Sequence, residues 1–305
     1  MGQEAGGKET TVVVVCADDD WEQAGPNLSE AFSVKEKTLP EQLVFDLVRY
    51  RAQDLELYRF RKNLILLGDM DSEVFRDVLS EDARVMVRSG ESYMFGSLDG
   101  WIGGQILVMI VAPPEEPLSR IVELAGPAAF EYFRTHSLDR IRKRIYGDGI
   151  EEKTKDHTKK AYGWTLDLPR GYRIADEDSS GRFVSFIKHD PERVILVYWG
   201  FEKGEKSWVD VRNEMSSVYL QGDEVVLERA SMSDVNFRGY RARKIEGHWE
   251  NEDKVMGGPF TTYCFQDTIS GTYYMVDYNV FAPAMRKWPI LGQVEWITQT
   301  FTLDR

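Results

Sequence analysis

The spacing of apolar positions changes partway along this chain, and the change predicts two differently built halves. Residues 11–17 hold the run Val12-Val13-Val14-Val15, which suits a strand buried on both faces. Asp18-Asp19-Asp20 ends that run and offers N-caps to a helix from about Trp21 past Leu28 and Phe32. Residues 43–50 alternate like a strand, 55–60 read as a short helical link, and 63–68 form another continuous apolar strand. Asp69-Met70-Asp71-Ser72 is then expected to cap a helix with Val74, Phe75, Val78 and Leu79 on one face. Strands follow at 93–97 and 102–112. A helical pattern over 115–146 is expected to kink or divide at Pro127. Strand and helix in this order predict an α/β domain of two or three layers with a mixed sheet.

Beyond residue 160 the pattern becomes long strands joined by turns: 163–168, 183–188, 193–201, 225–231, 240–250, 260–267 and 272–281. Helices are expected from Ser207-Trp208 to Leu220 and over 289–301, the latter amphipathic through Ile290, Leu291, Val294, Ile297 and Phe301. This is an α+β domain, an antiparallel sheet with helices on one face. The expected division is a flexible leader at 1–10, an α/β domain at 11–147, a polar linker at 148–162 and the α+β domain at 163–305. Gly257-Gly258-Pro259 is read as a corner joining the two strands around it, with glycine supplying positive φ. Ile110-Val111-Ala112-Pro113 and Val280-Phe281-Ala282-Pro283 each close a strand before a helix, which suggests a duplicated unit. Unrelated strand orders would end that reading.

Composition narrows the function classes. With 305 residues and 42% hydrophobic content the chain is long and apolar enough for two cores. A net charge of −13 argues against a nucleic-acid binder, because neutralising phosphates needs a basic face. Cys16 and Cys264 both fall in expected strands and read as buried free thiols. No run is long enough to span a membrane, and the start of the chain lacks the apolar core of a signal peptide. Gly2 raises N-myristoylation, but Gly7 stands where that pattern wants a basic or small polar residue.

Candidate chemistry is sparse. Asp18 and Asp20 follow one strand and Asp69 and Asp71 follow another. On parallel neighbours these carboxylates would meet at the carboxyl edge of the sheet, where a divalent cation could sit. Capping is the alternative use of the same residues. His248 and Trp249 flank the glycine corner, so Gly257 and Gly258 could bring bare amides to a ligand. Trp199 and Tyr274 belong to a dense aromatic set that serves either as core or as a platform for sugar or peptide. No nucleophile-elbow, zinc-protease or phosphate-loop pattern occurs.

Several of these stretches resemble one family, the domain of unknown function 4837 proteins, predicted envelope lipoproteins of Bacteroidota and their relatives. The likeness is clearest in Gly247-His248-Trp249, Met256-Gly257-Gly258-Pro259-Phe260, Asp267 and Phe281-Ala282-Pro283 before the last helix. Leu168-Pro169-Arg170-Gly171-Tyr172 and Gln105 are also similar, whereas Gly103-Gly104 departs from the family's usual Pro-Gln pair. The family's lipobox cysteine is absent from this chain. The resemblance implies a periplasmic or outer-membrane-associated setting and no assigned activity. The second half is loosely similar to Mog1/PsbP-type modules, a fold-level analogy.

The resulting expectation is a non-enzymatic binding or assembly module, soluble in itself, that uses an aromatic cleft between its halves at His248, Trp249, Gly257, Gly258, Trp199 and Tyr274. Its partner would be an envelope protein, peptide or glycan. No cofactor and no nucleic acid are expected, and a membrane would be met only through a lipid anchor that this chain does not carry. The alternative is a metal-dependent hydrolase built on Asp18, Asp20, Asp69 and Asp71.

Overall fold

A computed structural model describes residues 4–36 and 38–304, so Gly2 and its acylation lie outside the described residues. The chain forms two compact units, one of residues 1–35 and 43–140, the other of residues 36–42 and 141–305.

The first unit begins with strand β1 (Thr11–Cys16) and helix α1 (Asp18–Ala31). Two-residue strands β2 (Lys35–Glu36) and β3 (Gln42–Leu43) precede β4 (Asp46–Arg51), short helix α2 (Leu55–Tyr58) and β5 (Asn63–Asp69). Helix α3 (Glu81–Ser89), the hairpin β6 (Met94–Leu98) and β7 (Ile106–Ala112), and helix α4 (Leu118–Ile145) as far as Arg140 complete it, the end of α4 belonging to the second unit. The sheet order is β4-β1-β5-β7-β6, with β4, β1, β5 and β7 parallel and β6 antiparallel at the edge. The valine run lies where its composition requires, between β4 and β5, with Val12 to Val15 buried on both faces. Val13, Val15, Leu64 and Leu66 pack with Val74, Phe75 and Val87. Helices α1 and α4 pack on each other, with Phe32 edge-on to Phe130 at 5.5 Å.

Four expectations for this half change. Residues 4–8 are not a flexible leader: Ala5 N–H donates to Gly103 O, and Gly6 bridges to Arg61. None of Asp18, Asp19 and Asp20 is the N-cap residue of α1, which is Ala17; they occupy the first turn, complement the positive helix end, and Asp20 accepts from the Ala17 backbone. Asp69 and Ser72 start only a single 3₁₀ turn at Glu73–Phe75, and the true helix starts later, where the Ser80 hydroxyl accepts from Ala83 N–H at 3.2 Å. Finally, α4 runs unbroken through Pro127. Buried side chains before and after the proline, among them Ile121, Val122, Phe130 and Phe133, hold both sections in one helix.

The second unit adds helix α5 (Glu152–Tyr162), β8 (Trp164–Thr165), β9 (Arg173–Asp178), β10 (Phe183–Lys188), β11 (Glu192–Trp199) and helix α6 (Trp208–Tyr219). Then come β12 (Glu224–Val225), β13 (Ser231–Phe237), β14 (Tyr240–Asn251), β15 (Met256–Gln266), β16 (Tyr273–Phe281), helix α7 (Trp288–Thr298) and β17 (Thr302–Leu303). Its antiparallel sheet has the order β12-β14-β15-β16-β11-β10-β9, with β13 beside β14. This order has nothing in common with the parallel sheet of the first unit, so the duplication suggested by the matching strand ends is not present. Helices also cover both faces of the sheet rather than one. Ile290, Val294 and Ile297 of α7 pack with Ile195, Val197, Val276 and Tyr278, whereas Val209, Val211 and Met215 of α6 pack with Leu196, Cys264 and Met275. The period of 2 explains it: consecutive residues of one strand face opposite cores. Cys16 and Cys264 are buried free thiols.

The polar stretch expected as a linker is instead largely helix α5. Only Thr158 in it is buried, so it shows no apolar period, but Glu152 in its first turn, Lys159 and Lys160 in its last, and left-handed Gly163 after it are favourable helix-end chemistry. Strand β9, also unexpected, is an edge strand with mostly exposed, charged residues and no apolar alternation to reveal it. α5 holds this edge through one carboxylate: His157 Nε2 and the Tyr162 hydroxyl each lie 2.5 Å from Glu177 Oε1. Those bonds, Tyr162 first, hold the Glu177 pKa below its usual value. A depressed acid contributes stability at neutral pH that is lost as pH falls through the folded-state value. Acid unfolding followed by circular dichroism should therefore show a loss below about pH 4.5, the usual glutamate range, that is smaller in Glu177→Gln.

Candidate functional site

The glycine stretch is not a corner. Residues Met256–Gln266 are a single strand, and the reversal falls before it, at Glu252 to Val255, with Val255 at φ 53. Neither Gly257 nor Gly258 has positive φ. Glycine is needed here for close approach: a Cβ on Gly258 would collide with the Val280 carbonyl oxygen, and one on Gly257 would lie 2.8 Å from Trp249 O. Pro259 pairs with His248 of β14, and β15 joins β16 only from Phe260 onward. The missing N–H of Pro259 therefore falls where β15 has no ladder on that side.

The other expected site residues are divided by the sheet. Trp199 and Tyr274 are cross-strand partners in the core on the α7 side. Trp249 packs in the core on the α6 side. His248, next to it, therefore points the opposite way. His248 is buried, and burial, then the charges of Arg229 and Lys287, lowers its pKa and favours the neutral ring. Trp199, Tyr274 and Trp249 are all buried, so in this set the core reading of the aromatics describes them.

The four aspartates at the carboxyl edge have other partners. Asp18 is ion-paired with Arg49 and Arg51, and the Arg49 hydrogen bond is the main cause that lowers its pKa. Asp20 accepts from the Ala17 backbone, while burial and then the charge of Asp69 raise its pKa. Asp69 Oδ1 accepts from Asp71 N–H at 2.8 Å, and Asp71 lies 4.0 Å from Arg84. Among the described residues no group of three or more His, Cys, Asp or Glu is placed to hold a metal ion.

A recess of a different kind opens in the second unit, with a volume of about 610 Å³. The end of α4 supplies Arg142, Lys143 and Tyr146, the β13–β14 turn supplies Arg238, and α7 supplies Trp296. The Arg142 guanidinium lies 4.8 Å from the centre of the Trp296 ring, a cation–π contact that holds its planar fork at the wall. Arg238 Nε donates to Phe301 O at 3.3 Å. The Tyr146 hydroxyl donates to Asp167 O at 2.9 Å, and burial is the first cause that keeps its proton on far above neutral pH. The one acid in the lining, Asp167, is ion-paired with Lys155 at 2.6 Å. Behind the recess α7 is anchored by Glu295, which accepts from Tyr263 at 2.6 Å, Tyr278 at 2.9 Å and Gln299 Nε2 at 2.8 Å. Three cations, one of them stacked on Trp296, thus line one recess in a chain of net charge −13. Sequence reasoning passed over them because Arg142 and Lys143 also suit a helix C-terminus, and Arg238 sits in a turn whose first strand carries little apolar pattern. A smaller recess of about 210 Å³ in the first unit includes Lys8, Arg61 and Lys62, but Lys62 is paired with Glu9 there.

Residues 151–300 match the family described as Domain of unknown function (DUF4837). This segment is a DUF4837 domain. It takes in α5, both sheet-covering helices α6 and α7, and the Asp167, Arg238 and Trp296 walls of the recess. No curated protein sequence matches the chain. Among solved structures, a Bacteroides thetaiotaomicron VPI-5482 protein is similar at 13% identity and TM-score 0.30, over 48% of this chain and 46% of that one. LpqN, described as involved in cell envelope biogenesis of Mycobacterium tuberculosis, is similar at 14% identity and TM-score 0.29, over 47% of this chain and 83% of its own. The Saccharomyces cerevisiae Ran-binding protein Mog1p is similar at 11% identity and TM-score 0.30, over 46% of this chain and 90% of its own. At such scores these likenesses carry no functional argument. Among the described residues no helix is long and apolar enough to cross a membrane.

Proposed function

We propose that this chain is a binding module of the cell envelope that takes an anionic ligand in the recess formed by Arg142 and Lys143 together with Arg238 and Trp296 of its DUF4837 domain. The carrying observation is that three cationic side chains line one recess, with Arg142 against Trp296, in an otherwise acidic protein. Clefts lined by one sign of charge concentrate ligands of the opposite sign. Binding rather than catalysis fits the chemistry of the walls. Arginine and lysine carry fixed charge at neutral pH, Tyr146 is held as a donor, and Asp167 is committed to Lys155. The envelope setting rests on the family resemblance alone.

The test is calorimetric titration of the full chain with glucuronate, glucose 6-phosphate and neutral glucose at matched ionic strength. Saturable binding of an anionic sugar with none of glucose is the expected result. Arg238→Glu should weaken it at least about tenfold, the order expected for reversing a charge at a binding rim. Equal affinity for glucose, or an unchanged constant in Arg238→Glu, would sink the proposal.

A further inference from the structure

The turn Pro169-Arg170-Gly171-Tyr172, part of the family resemblance, lies over a group of donors that the recess does not use. Lys188 and Arg193 are direct partners across the antiparallel pair β10–β11. Like charges placed opposite each other in this way weaken a strand pair. Both cations are also withdrawn from water. Burial is the first cause that lowers each pKa, and the charge of Arg193 lowers that of Lys188 further. Asp148 and Glu151 act on Lys188, and Tyr172 and then Asp190 on Arg193, in the opposite direction, but burial outranks them in both. Among the described residues neither cation has a carboxylate within ion-pair distance.

The hydrogen bonds of this group leave donors over. Arg193 is 6% exposed; its Nη1 donates to Gln293 Oε1 at 2.7 Å and its Nη2 to His189 O at 3.4 Å, while Nε has no partner. Tyr172 is 5% exposed and its hydroxyl has no partner either. Burial pushes the Tyr172 pKa up to about 12, so the group stays a donor. Lys188 Nζ lies 5.7 Å from the centre of the Tyr172 ring and donates to Arg170 O at 2.8 Å. Buried donors without acceptors are costly, and two desolvated cations side by side add to that cost. One occupant relieves both at once, an acceptor that carries negative charge.

We propose that Tyr172, Lys188 and Arg193 form a binding site for a compact oxyanion, the phosphate or carboxylate group of a ligand. Arg193 and Tyr172 supply the buried donors, and half-buried Lys188 is the most exposed of the three. The site shares no residue with the lining of the recess and does not depend on that reading.

The experiment is titration of the full chain with inorganic phosphate and, separately, acetate, in chloride buffer at constant ionic strength, read by calorimetry and by thermal unfolding. Wild type should bind at least one of the two saturably and gain heat resistance with it; which one binds tells phosphate from carboxylate ligands. Tyr172→Phe deletes one hydroxyl and keeps the ring, and it should weaken binding about tenfold. Lys188→Met should weaken it similarly, yet unfold at a higher temperature than wild type when no anion is present, because the cross-strand repulsion is gone. A purely structural lysine would give the opposite shift. No saturable binding by wild type, or binding that survives both substitutions, overturns the proposal.

Discussion

Arg212→Leu is expected to destabilise the chain by roughly 3–5 kcal/mol, the usual cost of stranding one member of a buried ion pair. Arg212 of α6 and Asp277 of β16 are both 0% exposed, and Arg212 Nε donates to Asp277 Oδ2 at 2.9 Å. The same oxygen accepts from the Thr262 hydroxyl at 2.5 Å, and the guanidinium lies 4.1 Å from the centre of the Phe260 ring. Removing the arginine leaves a carboxylate inside the α6-side core with one neutral donor. The discriminating variant is the pair Arg212→Met with Asp277→Leu. Because desolvating both charges consumes most of what their attraction supplies, the double substitution should recover most of the loss. Urea unfolding of the three proteins checks this. A double variant as weak as the single one would show that α6 depends on the pair for its seating.

Gly258→Ala should cost roughly 3 kcal/mol, at the upper end for overpacking, and Gly257→Ala distinctly less. The difference lies in what blocks the new methyl group. At Gly258 it meets the Val280 carbonyl, which belongs to a strand held on its other side by β11 and cannot retreat without disturbing that pairing. At Gly257 the nearest atom, Trp249 O, is 2.8 Å away, and only a local shift of β14 near its end is needed. Thermal unfolding of both variants tests the order. If Gly258→Ala melted like wild type, the close approach would not be a constraint.

Gly257-Gly258-Pro259 has the composition of a turn but lies within strand β15, just past the reversal. Glycine serves both positive φ and close backbone approach, and sequence does not separate the two. Val255 takes the left-handed position instead. Where an element was recognised from its apolar positions, as for the continuous runs of β1 and β5 and the amphipathic face of α7, burial of those positions confirms it. Where an element buries little, as for α5 and β9, the period had nothing to report.

The residues of the recess and of the oxyanion site were in view all along as types, but not as groups. Arg142, Arg238 and Trp296 are far apart in sequence, and so are Tyr172 and the Lys188–Arg193 pair. Local chemistry alone set most of the strands and helices, the burial of the valine run on both faces, and the excess negative charge of the chain. Which face each helix covers, which strand lies beside which, and therefore which cations line one recess, were decided only on folding. Those arrangements depend on contacts between distant residues, and a local pattern of polar and apolar positions holds no record of them.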